Sequence, residues 1–180
     1  MVTPLPLVYA PNEIFRKKAT NIDIVDNNLR SLIDRMIKTL YVENAVGLGA
    51  NMVGILKRIV VIDLQENHTK NPQVFINPEI TWYSDDYQIF NEASVCFPGI
   101  SANIKRPNAI RLTYVDYDGE MKEFEAQGFL ASVLQHEIDY LNGKIFLDYL
   151  SKLKSDMLLK KMKKHMKLYP PHIHGEGCKH

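Results

Sequence analysis

The stretch from Phe129 to Gly143 constrains the fold of this chain most. Its apolar residues recur at the spacing of an α-helix, and Gly143 stands where a left-handed residue commonly ends one. His136 and Glu137 lie inside the apolar arc. Burying an imidazole and a carboxylate is costly unless each is hydrogen-bonded, paired or bound to a metal. The sequence therefore predicts a central helix whose polar pair has a specific partner.

The other segments predict helices at both ends of the chain and strands between them. Residues 29–41 have the i, i+3, i+4 spacing of an amphipathic helix, which Gly47-Leu48-Gly49 is expected to end. Asp118-Gly119 is a strong signal for a two-residue hairpin turn. A last helix is predicted over 152–168 and an edge strand at 4–9. Further strands are predicted at 55–64, 74–76 (closed by Asn77-Pro78), 80–83, 87–90, 110–117 and 121–126, with an irregular loop at 92–100.

These elements indicate an α+β fold in which a mixed or antiparallel sheet wraps around the 129–141 helix. A chain of 180 residues, 46% of them apolar, suits one globular domain. We expect residues 1–150 to form that domain, 151–169 to add a basic helix to it, and 170–180 to be a disordered tail. The tail contains His172, His174, Cys178 and His180, which also allow adventitious metal binding.

The cysteines and the N-terminus indicate a cytoplasmic protein, or one of an equivalent organellar matrix. Cys96 and Cys178 are far apart, which argues against a disulfide framework. The sequence has no run of eighteen apolar residues, and its proline-rich start lacks the layout of a secretory signal. We therefore expect no contact with a membrane.

Three separated segments carry a family resemblance. Residues 47–52 read Gly-Leu-Gly-Ala-Asn-Met, 92–98 read Glu-Ala-Ser-Val-Cys-Phe-Pro, and 135–143 read Gln-His-Glu-Ile-Asp-Tyr-Leu-Asn-Gly. In this order they resemble the signature motifs of the peptide deformylases: Gly-x-Gly-Leu-Ala-Ala-x-Gln, Glu-Gly-Cys-Leu-Ser and Gln-His-Glu-x-Asp-His-Leu-x-Gly. The resemblance covers roughly residues 5 to 150, including Arg106-Pro107 and the hairpin signal.

The resemblance implies an enzyme that removes the formyl group from N-formylmethionyl peptides by hydrolysis. In that family one cysteine and two histidines hold Fe²⁺ or Zn²⁺ and leave a position for water. His136 stands at the first histidine and Glu137 at the general base. Val95 stands at the backbone oxyanion donor.

Three other family positions are substituted in this chain. Ser94 stands at the cysteine, Tyr140 at the second histidine and Met52 at the oxyanion glutamine. A hydroxyl and a phenol are poor ligands beside a thiolate and an imidazole, and methionine has no donor. We therefore expect no resident cofactor and little or no deformylase activity.

Two alternatives stay open for the substituted site. In one, the chain is an active or altered metallohydrolase that uses His136, Glu137 and an unusual third ligand. In the other, His136 is a core histidine satisfied by a neighbour. Cys96 is interpreted as apolar filler or as a substitute thiolate, although residues at i and i+2 of a strand lie roughly 6.5 Å apart.

A second implication of the resemblance is a pocket for the methionine side chain, with the peptide added as a strand. Such binding requires neither Ser94 nor Met52. The alternative is a pocket refilled by Met52 and Tyr140. The predicted pocket residues are Val46, Gly47, Leu48, Glu92 and Val133.

The C-terminal helix carries a concentrated positive charge. Residues 151–167 hold seven lysines against one aspartate, a local charge of +6 in a chain whose net charge is +1. By resemblance, such a helix suits ribosomal RNA, with nascent N-terminal peptides as further partners; the alternative is a solvated polar face. Without an aromatic stacking platform, sequence-specific RNA reading is not expected. The lysines are Lys152, Lys154, Lys160, Lys161, Lys163, Lys164 and Lys167.

Overall fold

The computed structural model describes residues 2–171, and within them it confirms the α+β fold. The helices are α1 (Asn27–Val42), α2 (Gly128–Leu141) and α3 (Lys152–Leu168). The strands are β1 (Gly47–Gly49), β2 (Ile59–Ile62), β3 (Gln73–Tyr83), β4 (Tyr87–Glu92), β5 (Ala102–Pro107), β6 (Ala109–Val115) and β7 (Met121–Gln127). Short 3₁₀ turns lie at Glu13–Arg16, Ala50–Val53, Glu66–His68 and Phe146–Tyr149.

The strands form two antiparallel sheets. The larger has the order β1-β2-β3-β6-β7, and the smaller is the hairpin β4-β5. β1 is an edge strand, since within the described range it pairs with β2 alone. An edge strand leaves one row of backbone donors and acceptors without a strand partner.

Helix α2 is the centre of the molecule, as its apolar pattern predicts. Ten of its fourteen residues are buried. Leu134, Ile138 and Leu141 pack in the apolar cluster formed with β2, β3 and β6. Tyr140 packs in a second cluster that also contains α1 and the loop before β5. Because α2 joins both clusters, its side chains are held from two sides.

Two predictions for the first half of the chain are wrong. Helix α1 ends at Val42, and the segment Gly47–Gly49 is strand β1 rather than the end of that helix. Residues 4–9 are extended but form no strand. Instead, the N–H groups of Val8 and Ala10 donate to the carbonyls of Met52 and Cys96, which ties the arm to the site described below.

The structure also corrects the strands predicted at 74–76 and 80–83, which are one strand, β3. Its register with β6 shifts between Ile76 and Glu79, and Asn77 adopts a φ of 50°. Such a bulge accepts Pro78 inside the strand because proline has no N–H for the ladder. The Asn77 side chain exchanges two hydrogen bonds with the backbone of Ile22 (2.9 and 2.7 Å).

The β6–β7 connection is a hairpin, but its turn is longer than predicted. Val115 pairs with Met121, so five residues separate the strands instead of two. The Asp116 carboxylate accepts hydrogen bonds from the N–H groups of Asp118 and Glu120 (3.0 and 2.9 Å), and Gly119 has a φ of 94°. Such a turn is stabilised when a side chain accepts hydrogen bonds from nearby backbone N–H groups.

Helix α3 has the predicted bounds and packs against one of the two apolar clusters. Ser151 caps its first turn, and Met162 is fully buried against the cluster that contains Tyr140. The tail predicted at 170–180 falls mainly outside the described residues. No helix in the described range is both long and apolar enough to cross a membrane.

Candidate functional site

A cavity of about 390 Å³ opens between α2, strand β1 and the loop that follows β4. Nine of the eleven predicted site residues line it: Val46, Gly47, Met52, Glu92, Ser94, Val95, Val133, His136 and Glu137. Leu48 and Tyr140 do not. Leu48 is fully buried in the core because adjacent residues of β1 face opposite sides, so its assignment to the pocket is corrected.

The His136 ring is oriented by a buried carboxylate. Its Nδ1 lies 2.8 Å from Oε2 of Glu92. Burial alone would raise the pKa of Glu92, but the hydrogen bonds and charges of His136 and Arg106 outweigh it and bring that pKa to about 2. An ionised carboxylate only accepts hydrogen bonds, so the Nδ1 of His136 that faces Glu92 carries a proton.

Arg106 balances the charge of Glu92. Its guanidinium binds Glu92 in two places, Nε to Oε1 at 2.5 Å and Nη2 to Oε2 at 3.0 Å. Nη1 also donates to Asp139 (2.8 Å) and to the Tyr149 hydroxyl (3.0 Å). The side chain of Arg106 is only 2% exposed. This buried network fixes Glu92 and, through it, His136.

Sequence reasoning missed the members of this network beyond Glu92 and His136. Arg106 and Asp139 lie within segments used for the resemblance but were assigned no role, and strand β5 was not predicted. Ser132, which donates to Glu92 at 3.3 Å, was also missed. A basic residue in a segment without a predicted element gives no sign of burial until its carboxylate partners are known. The signal available in the sequence was that Arg106 accompanies an acidic residue in each of two motifs, Glu92 and Asp139.

Tyr140 occupies an aromatic cluster beside the cavity. Its ring lies edge-on to Phe15 (5.8 Å between centroids) and Phe97 (6.2 Å), and it stacks on His136 (4.9 Å). The hydroxyl is buried without a hydrogen-bond partner among the described residues. Burial raises the pKa of Tyr140 well above 10, and the nearby Ser94 hydroxyl offsets only part of that rise. The side chain is therefore a neutral phenol at neutral pH.

The Ser94 and Cys96 side chains serve the local backbone. The Ser94 hydroxyl accepts a hydrogen bond from the Cys96 N–H (3.3 Å). The Cys96 thiol is buried and donates to the Met52 carbonyl (3.8 Å). Burial raises the pKa of this thiol, as does the neighbouring charge of Glu137. A protonated thiol pointed at a carbonyl supports the packing interpretation of Cys96 rather than a substitute thiolate.

The donor set does not match a catalytic iron or zinc site. Such sites use thiolate, imidazole and carboxylate ligands. At the three family positions this chain offers one imidazole, one hydroxyl and one protonated phenol. Within residues 2–171, no three His, Cys, Asp or Glu side chains are grouped so that they could hold a metal ion.

Glu137 is the second carboxyl group of the cavity wall, and unlike Glu92 it has no ion-pair partner in the described part of the chain. It is 4% exposed, and its Oε2 has no hydrogen-bond partner there. Burial raises its pKa to about 7, although His136 and the Gly49 N–H act in the opposite direction. Space for this carboxyl depends on Gly47, where a Cβ would lie 2.8 Å from Oε1.

Comparison with known proteins agrees with the three motifs and the fold. A family model described as polypeptide deformylase matches residues 4–156. A protein of Rickettsia conorii named peptide deformylase-like is 63% identical over 97% of this chain and 95% of its own length. A peptide deformylase of Bartonella henselae is 42% identical over 90% of this chain and 93% of its own length.

Solved structures show the same likeness. The crystal structure of a peptide deformylase from Legionella pneumophila superposes with a TM-score of 0.88 at 34% identity and covers 94% of this chain and 99% of that one. The crystal structure of the peptide deformylase from Ehrlichia chaffeensis superposes with a TM-score of 0.86 at 35% identity. It covers 92% of this chain and 98% of that one. Fold and overall length thus agree with these proteins, and the chain belongs to the peptide deformylase family.

Proposed function

We propose that this chain binds the N-terminal segment of a peptide in the family cavity and has lost the metal-dependent hydrolysis of the formyl group. The observation that carries the proposal is an open cavity beside ligand positions that hold a phenol and a hydroxyl. Tyr140 packs in the aromatic cluster and leaves the cavity free, while Met52 forms part of its wall. The binding volume is thus kept although the donors that the chemistry needs have changed.

The shape of the cavity suits one apolar side chain of an extended peptide. Val46 and Val133 line it, and Phe129, which is 46% exposed, lies at its rim. Edge strand β1 runs along one side through Gly47. A peptide added to a strand edge gains backbone hydrogen bonds, and an adjacent pocket selects one of its side chains.

The expected loss of hydrolysis follows from three substitutions of two different kinds. A missing side-chain oxyanion donor, as at Met52, costs on the order of 10²-fold in rate. Replacement of the thiolate and the second imidazole removes the ligands that would hold a water-activating metal. The alternative, an altered metallohydrolase using His136 and Glu137, needs a third ligand, and the described residues contain no group of three His, Cys, Asp or Glu side chains that could hold a metal ion.

Purified protein is expected to bind a short methionyl peptide without hydrolysing its N-formyl form, with or without added Fe²⁺, Ni²⁺ or Zn²⁺. Val133→Phe should weaken peptide binding at least about tenfold because it fills the apolar wall, since each decade corresponds to about 1.4 kcal/mol. Val42→Phe, at the exposed end of α1, is the matched control and should bind normally. Calorimetry measures binding, and release of formate measures turnover.

Two results would contradict this function. Stoichiometric metal together with turnover that Glu137→Gln abolishes would establish the altered metallohydrolase. Absence of binding to any methionyl peptide would show that the cavity serves no peptide.

A second proposed role, in translation in the cytoplasm, concerns helix α3. All seven of its lysines are exposed. Lys152 makes a 3.5 Å ion pair with Asp156, itself a weak surface contact. Met162 anchors the opposite side of the helix in the core. An anchored helix with an exposed basic face suits the phosphate backbone of ribosomal RNA.

Co-sedimentation with ribosomes is expected to weaken steeply as salt rises, because neutralised phosphates release bound counterions. Replacement of Lys160, Lys161 and Lys164 by glutamine should reduce binding and flatten its salt dependence. Replacement of exposed Lys18, Lys38 and Lys57, which lie outside α3, is the charge-matched control. Equal loss with both triple variants would assign the binding to net charge and rule out a site on α3.

A further inference from the structure

We propose that the cavity recognises peptides with a free N-terminal ammonium group in preference to their N-formylated forms. The inference rests on the peptide-binding function proposed above and names the ligand class of that same site. It would make the protein a reader of unformylated or already deformylated N-termini.

The cavity contains one carboxylate that lacks a complement. Glu92 is paired with Arg106 and His136. Glu137 has no such partner: its Oε2 is buried without a hydrogen bond from any described residue. A carboxylate in a buried wall without a cationic partner is costly, and Glu137 lines the cavity, so a ligand group that supplies a cation and N–H donors to its side chain relieves that cost.

Among the described residues that line the cavity, none is a lysine or an arginine. The one basic side chain in the lining is His136, whose Nδ1 proton is directed to Glu92. The Arg106 guanidinium is committed to Glu92 and Asp139. A positive ligand group therefore meets neither a lysine nor an arginine among the described residues of the wall.

The surroundings of Glu137 define what else the ligand carries. Val133 lies on the same face of α2, one turn before Glu137, and Val46 adds apolar surface nearby. Both the Glu137 carboxyl and Val133 approach Gly47 closely, within 3.0 Å of where its Cβ would be. The Glu137 carboxyl group and the apolar wall are thus neighbours. In a peptide, the N-terminal ammonium group and the first side chain are neighbours in the same way.

A formyl group fits this wall less well than an ammonium group does. A formamide is neutral and offers Glu137 one N–H, whereas an ammonium offers three donors and a charge. Charge-assisted hydrogen bonds are roughly twice as strong as neutral ones. The formyl oxygen also needs a donor, and Met52 provides none at the position that would face it in the family. We expect the free amine to bind at least about tenfold more tightly.

Calorimetry with three methionyl tripeptides, identical except for a free, formylated or acetylated N-terminus, tests this inference. The free form should bind best. Glu137→Gln keeps the shape but removes the charge, so it should lower affinity for the free form at least about tenfold and leave the formylated form within about twofold. Glu66→Gln, an exposed glutamate outside the cavity, should change neither affinity.

In a fourth tripeptide, hydrogen replaces the N-terminal amine, so the ammonium charge is removed from the ligand while the protein stays unchanged. This peptide should bind like the formylated form. Equal or tighter binding of the formylated peptide would overturn the inference and leave the proposed peptide binding in place. A preference for the amine that survives Glu137→Gln would overturn the assignment to Glu137. No binding of any of the four peptides would instead overturn the proposed function itself.

Discussion

The triple variant Ser94→Cys, Tyr140→His and Met52→Gln is expected to bind one divalent metal ion per chain and to release formate from N-formylmethionyl peptides. The first ligand is already oriented, because Glu92 holds Nδ1 of His136 at 2.8 Å. Metal-binding histidines commonly have such a carboxylate partner. Position 140 lies directly beside it, with the two rings stacked 4.9 Å apart. An imidazole there is also smaller than the phenol it replaces, so the aromatic cluster has room for it.

Metal analysis of the purified variant and formate release are the two measurements. The expected gain is the appearance of turnover, which we expect to be absent from the natural chain. Adding Glu137→Gln to the triple variant is the control: metal content should persist while the rate falls about 10²–10⁴-fold, the usual contribution of a general base. A folded triple variant that takes up no metal would show that the site has been remodelled beyond its ligands.

Arg106→Leu is expected to lower the free energy of unfolding by about 3–5 kcal/mol, the usual cost of breaking a buried ion pair by removing one partner. Glu92 and Asp139 would lose their common counter-charge, and Glu92 is 7% exposed. Urea unfolding followed by circular dichroism measures the change. The matched control is Arg111→Leu on β6, whose pairs with Glu123 and Glu125 are exposed; it should cost about 0–1 kcal/mol.

A loss for Arg106→Leu no larger than that for Arg111→Leu would contradict a structural role of the buried network. The double variant Arg106→Leu with Glu92→Gln should be more stable than Arg106→Leu alone, because it removes one of the two unpaired charges. That comparison separates the charge effect from the packing of the arginine stem.

The elements that sequence predicted best are those whose pattern is local. Helix α3 has the predicted bounds because its apolar spacing is local, and because Ser151 and Pro170 each lie within two residues of the helix end that they mark. Strand β3 was predicted as two pieces because Asn77-Pro78 is locally a stop signal. The bulge that lets the strand continue depends on the backbone of Ile22, which is 55 residues away.

The candidate site shows the same division between local and distant information. Nine of the eleven predicted residues line one cavity, and seven of the nine belong to the three motifs, since motif order and type reflect the family. The assignment of Leu48 to the pocket was wrong because the side chains of adjacent residues along β1 face opposite sides, and that of Leu48 faces the core. Arg106 was given no role because its burial makes sense only with Glu92, fourteen residues away and on the neighbouring strand.

Sequence by itself determined the family, the central helix with its His136-Glu137 pair, and the substitutions at positions 52, 94 and 140, because these are statements about residue type and order. Only the tertiary structure decided that Tyr140 joins Phe15 and Phe97 instead of filling the cavity. It also decided that Glu92 has a counter-charge, whereas Glu137 has none among residues 2–171. The physical reason is that packing and charge balance depend on partners distant along the chain, which the fold alone brings within a few ångströms.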